Sequence, residues 1–162
     1  MDIPDVNKLV DTSNLTFKSR KSIQIRMTDL DPFGHVNNGV IYSYYDVGRL
    51  HYLSQMNEDI QWEKMDKVIV HTECDFMEAI LFEDDISVET KIIDIGKKSI
   101  KMMQRIVDNN SGRIKSTCLS VLSGYDRGNN CSKEIDEVFK GKIKEFEKVF
   151  LLKQQGKELS AV

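Results

Sequence analysis

The residues of this chain best suited to chemistry lie close together: Asp31, the turn Pro32-Phe33-Gly34, and His35-Val36-Asn37-Asn38, which leads into a run with helical periodicity. The first N–H groups of a helix have no intrahelical partner, and the helix dipole favours negative charge there. A carboxylate beside such an end can attack a carbonyl, or direct water at it, while the free amides hold the resulting oxyanion. This arrangement suggests acyl-group hydrolysis. Asp31 is the candidate base or nucleophile. Asp-Pro is also a common turn opener, so the plainer reading of Asp31 is a turn cap. His35 is a second candidate acid–base group, with loop scaffolding as its plainer use. Asn37 and Asn38 are of the type that caps helices, and an oxyanion role near Asn38 needs only the backbone. Asp29 reads as a structural hydrogen-bond acceptor. A metal at Asp31 and His35 lacks a third ligand at useful spacing, since His51 and His71 fall on other elements, so none is expected.

The elements that position these groups follow from periodicity. Residues 21–27, KSIQIRM, alternate apolar and polar, as a half-buried strand does. From residue 39 to 53 the period becomes helical, with Ile41, Tyr44, Tyr45, Gly48 and Tyr52 on one face. Gly48 costs about 1 kcal/mol of helix propensity, which makes sense if the helix packs tightly on a sheet there. Asp46 and Arg49 are spaced to pair one turn apart. Strand patterns then occupy residues 67–76, 85–95, 99–107 and 113–125, with turns at Gly96-Lys97-Lys98 and at 108–112. Successive hairpins predict an antiparallel meander. Ser132 is a plausible N-cap for a last helix carrying Ile135, Val138, Phe139, Ile143, Phe146, Val149 and Phe150 on its apolar stripe. The expected domain spans 18–155, after a polar lead-in at 1–17 and before a tail at 156–162.

The chain has 162 residues, enough for one domain with a proper core, and its 40% hydrophobic and 30% charged fractions are those of a soluble globular protein. A net charge of −3 offers no general attraction to nucleic acid or anionic lipid. No stretch reads as a targeting signal or approaches the roughly 20 apolar residues of a membrane span. Cys74, Cys118 and Cys131 are odd in number and lack metal-site spacing. They read as free thiols in a reducing compartment, with the cytoplasm as the expected location.

Asp29-Leu30-Asp31-Pro32-Phe33-Gly34-His35-Val36-Asn37-Asn38, followed by Tyr42, Asp46 and Arg49, resembles the D-x-D-x-x-G-H-V-N-N motif and helix of the hotdog-fold acyl-CoA thioesterases, the 4-hydroxybenzoyl-CoA thioesterase-like group. The resemblance continues from Val68 through Ile100 and covers about residues 20 to 150. It implies an α+β hotdog fold, a long central helix wrapped by a curved antiparallel β-sheet, here with a C-terminal helix. It further implies a homodimer or homotetramer with thioester sites between protomers, acyl-CoA as substrate and no cofactor. On this resemblance Asp31 is the catalytic carboxylate and the Asn38 N–H the oxyanion donor. Substrate-binding positions fall at Gly34, Asn37, Tyr42, Asp46 and Ser99, with Lys97 and Lys98 as candidates for the CoA phosphates. Met56, Trp62 and Met65 lie in the segment expected to shape the acyl pocket. Rival readings are an acyl-carrier-protein thioesterase, a hydroxyacyl dehydratase, whose His-containing loops are not found, and a non-catalytic acyl-CoA-binding module.

Overall fold

The computed structural model describes residues 12–56 and 65–158, the last eleven of them by backbone only. The elements are β1 (Ser19–Ile23), a 3-10 turn (Met27–Asp29), α1 (Asn38–Met56), β2 (Lys67–Phe76), β3 (Ile86–Ile95), β4 (Ser99–Asp108), β5 (Ile114–Asp126), β6 (Cys131–Lys133) and α2 (Glu137–Glu158). The strands form one antiparallel sheet in the order β1-β3-β4-β5-β2, with β6 pairing the end of β5. The expected meander is β3-β4-β5. The curved sheet packs around α1, and α2 closes its far end.

The helix face expected from spacing is the buried one: Ile41, Tyr44, Tyr45, Gly48 and Tyr52 all point into the sheet. Gly48 is required by close approach. A Cβ there would overlap the Val88 side chain and lie 3.1 Å from Gln104 Nε2. Gln104 Nε2 in turn donates to the Tyr45 carbonyl at 2.8 Å and to Thr90 Oγ1 at 3.0 Å, tying helix to sheet. One apolar cluster gathers Ile41, Tyr44 and Tyr45 with Ile80, Ile86, Val88, Ile106 and Cys118. A second gathers Tyr52 and Leu53 with Ile92, Ile100, Met102 and Leu122, under Ile135, Phe139 and Ile143.

Several expectations need correction. The first strand ends at Ile23, not at Met27, which is 66% exposed. Arg26 and Asp29 cap the 3-10 turn reciprocally, and this pulls the chain out of the sheet. Ser132 lies in β6, a strand too short to show periodicity. The cap of α2 is Asp136, whose Oδ1 accepts from the Val138 amide at 2.8 Å and whose carbonyl accepts from Lys140. Starting at Glu137, the helix puts Phe139, Ile143 and Phe146 on one face and turns Val138 outward, 66% exposed. It runs to Glu158. Residues 12–17 of the lead-in pack on the sheet: Arg105 donates to the Thr12 carbonyl at 3.0 Å and covers the Phe17 ring at 4.4 Å. Trp62 lies outside the described residues; Val149 and Phe150 belong to the stretch described by backbone alone.

Candidate active site

The loop before α1 folds into a tight hairpin-like turn. Asp31 N–H donates to the His35 carbonyl at 2.8 Å, and Gly34 N–H donates back to the Asp31 carbonyl at 3.0 Å. Gly34 has φ +79°, a left-handed conformation that suits glycine. Leu30 and Val36 bridge, and the Val36 N–H donates to the Ile80 carbonyl at 2.8 Å while His35 bridges Leu81. The loop is thereby zipped to the segment linking β2 to β3. Below it, Asp29 is buried and accepts Arg26 Nη2 at 2.8 Å and the Tyr44 hydroxyl at 2.7 Å. Burial opposes its ionisation, but these donors outweigh it and hold the carboxyl below the usual carboxylate range. Burial and the Asp29 carboxylate push the Tyr44 hydroxyl up. Asp29 is a structural anchor for the loop.

Asp31 is half-buried and lines a cleft of about 260 Å³ with His35, Asn38, Phe76, Met77 and Glu78. Its Oδ1 accepts the Phe33 N–H at 2.9 Å and the His35 N–H at 3.2 Å. The turn-capping reading is therefore true of one oxygen. Oδ2 has no hydrogen bond among the described residues. Asn37 is the N-cap of α1: its Oδ1 accepts the Gly39 N–H at 2.8 Å, and its carbonyl accepts from Val40 and Ile41. Asn38 is the first helical residue, and its N–H has no partner among the described residues. Asp31, with one carboxylate oxygen unbonded, and Asn38, with its amide unbonded among the described residues, thus line one cleft. The His35 backbone holds the turn through its bonds to Asp31, and the residue also lines the cleft.

Tyr42 lies one helical turn beyond Asn38, its ring edge-on at 6.4 Å to Phe76, which lines the cleft. Asp46 is one turn further, 59% exposed and paired with Arg49. Ser99, Lys97 and Lys98 sit at the opposite end of the sheet, where Ser99 pairs with Ser123 and Lys97 bonds Glu134 at 2.8 Å. Within one protomer they do not meet Asp31. The cleft wall from Phe76 to Ile80 is a site-forming element that the sequence reading misses. Lys115 supports it: its carbonyl accepts the Met77 and Glu78 amides, and its Nζ reaches the Ala79 carbonyl, Glu78 and Asp84. The one signal for it in the sequence is the interruption of strand alternation at Met77-Glu78-Ala79. Among the described residues no three His, Cys, Asp or Glu side chains gather as a metal site.

Residues 25–150 match the family model described as the thioesterase-like superfamily. The chain belongs to that superfamily. A thioesterase from Thermus thermophilus, solved in complex with coenzyme A and Zn, is 28% identical with a TM-score of 0.71, covering 79% of this chain and 98% of that one. A predicted thioesterase from Bacillus stearothermophilus shares the fold, with a TM-score of 0.72 and 23% identity over 78% of this chain and 93% of its own. The uncharacterized protein YsmA of Bacillus subtilis (strain 168) is 21% identical over 87 residues, 54% of this chain. The match spans 59% of the length of that curated relative.

Proposed function

We propose that this thioesterase-family protein hydrolyses acyl-CoA thioesters to free acid and CoA. The observation that carries the reading is that Asp31, whose Oδ2 has no partner among the described residues, and Asn38, whose N–H has none, line the same cleft. A thioester carbonyl is already activated. Asp31 either takes a proton from the attacking water or attacks the carbonyl itself, and the Asn38 amide holds the developing oxyanion. CoA departs as a thiolate, so no strong general acid is needed. The coenzyme A bound by the Thermus thermophilus thioesterase supports CoA as the carrier.

A two-protomer site fits this reading. The 260 Å³ cleft of one chain is smaller than the usual ligand pocket. Beside it, β2 is a ten-residue edge strand with Val68, Ile69, Val70 and Phe76 exposed. Long apolar edges are templates for pairing. A two-fold axis perpendicular to the sheet would join two β2 edges antiparallel, placing the partner's Lys67 end beside this chain's Phe76 end. At the Lys67 end lie Ser99, Lys97 and Lys98, since Lys67 pairs with Gly124 and the Gly124 N–H bonds the Lys98 carbonyl. The pairing thus brings the second protomer's hairpin toward the first protomer's Asp31. The test is thiol release from a panel of acyl-CoAs spanning short, long and aromatic acyl groups. Turnover of at least one is expected; binding without turnover of any would replace hydrolysis by a binding role, and preference for carrier-protein thioesters would change the substrate class.

A further inference from the structure

Cys74 and Cys118 face each other directly across β2 and β5. Opposed residues of an antiparallel ladder stand about 4.5–5.5 Å apart at Cα, inside the range that a disulfide spans. Both side chains point to the α1 face, Cys118 within the apolar cluster and Cys74 packed against it. Cys118 is buried and Cys74 half-buried, while Cys131 is exposed on β6. On the other side of Cys74 stand the Tyr42 hydroxyl and the Arg49 guanidinium, both from α1. Arg49 is 9% exposed, and its Nε has no partner among the described residues. Behind Cys118, Ser120 Oγ lies 3.7 Å from the sulfur. The hydrogen bond from Cys118 holds the Cys74 thiol below the ordinary thiol range against its burial, with help from Tyr42 and, more weakly, Arg49, while the Asp75 charge opposes it. The same contact, with burial, pushes Cys118 up. Thiolates, not thiols, are the nucleophiles, and Cys74 is the more accessible of the two sulfurs.

We propose that Cys74 and Cys118 are a peroxide-sensitive thiol pair, in which Cys74 is oxidised first and Cys118 resolves it to a disulfide between β2 and β5. The Cys74 thiolate attacks one oxygen of hydrogen peroxide; an S–O bond forms, the O–O bond breaks, and the departing hydroxide takes up a proton to become water. The Cys118 sulfur then attacks the Cys74 sulfur, forming the S–S bond. The S–O bond breaks, and the leaving hydroxide gains the proton that Cys118 gives up. Two thiols lose two electrons, and one peroxide is reduced to two waters. The bond would staple the edge strand to its neighbour two residues from Phe76, which lines the cleft and supports the Tyr42 ring. The proposal is independent of the substrate assignment, because its readout is mass rather than turnover.

The experiment uses the full chain with Cys131→Ser, exposed to hydrogen peroxide, alkylated under denaturing conditions and weighed intact. The expected result is loss of the mass of two hydrogen atoms, no alkylation at either remaining cysteine, and full reversal by dithiothreitol. Adding Cys118→Ser should leave a Cys74 sulfenic acid that dimedone traps, and adding Cys74→Ser instead should abolish the mass loss. Cys74 and Cys118 both alkylated after peroxide treatment would overturn the proposal. So would accumulation of Cys74 sulfinic acid with Cys118 still a thiol. The Cys131→Ser protein alone decides the matter if either double variant fails to fold.

Discussion

Asp31 Oδ1 accepts two amides of its own turn, while Oδ2 accepts none among the described residues. The structural use of one oxygen is compatible with the proposed chemical use of the other. The proposed oxyanion donor is a backbone group, which calls for a backbone test. Proline is well tolerated at the first helical position but has no N–H, so Asn38→Pro removes the donor and keeps the helix start. It should lower kcat roughly 10²–10³-fold with little change in thermal stability, whereas Asn38→Ala should retain most activity. Asp29 gives a pH prediction. Its folded pKa is depressed, so its contribution is fully present above the unfolded carboxylate range and is lost as pH falls through the lower folded value. Asp29→Asn, which weakens the Arg26 and Tyr44 contacts, should cost ~1–3 kcal/mol at neutral pH by denaturant titration. The gap to the parent should narrow as the pH is taken below the ordinary carboxylate range.

At the scale of elements, the close approach of α1 to β3 at Gly48 fixes the helix against the sheet. Gly48→Ala places a methyl into Val88 and should destabilise by ~1–3 kcal/mol, read as a fall in denaturant midpoint at constant slope. Asp136→Ala, which removes the α2 cap, should cost about 1 kcal/mol without affecting turnover. The period of α1 is legible in the sequence because one face of the helix is buried and the other exposed; β3 and β4 are legible by alternating residue type, although Ile86–Thr90 and Met102–Gln104 are buried on both faces. The end of β1 is not, because the Arg26–Asp29 reciprocal cap overrides an alternating pattern that continues to Met27. Nor is β6, three residues held by pairing with β5 rather than by any pattern of their own. The loop motif marks Asp31 and Asn38, but the opposite wall, Phe76 to Ile80, depends on Lys115, a contact between residues far apart in the chain. No local pattern encodes such a contact.

For the whole molecule, the proposed two-fold dimer would account together for the exposed β2 edge and the separation of Asp31 from Ser99, Lys97 and Lys98. Val70 on that edge is 61% exposed. Val70→Glu should shift sedimentation from dimer toward monomer, since like charges meet across the axis, and should lower turnover in proportion to the dimer lost. A parent protein that sediments as monomer while fully active would remove the two-protomer site. The most direct test of the account is thiol release by Asp31→Asn on the best acyl-CoA of the panel. The amide oxygen can still accept the Phe33 and His35 N–H groups, so the turn is kept while the carboxylate is lost. The predicted result is a fall in kcat of at least ~10²-fold with melting temperature unchanged; an Asp31→Asn protein as active as the parent would contradict the mechanism outright.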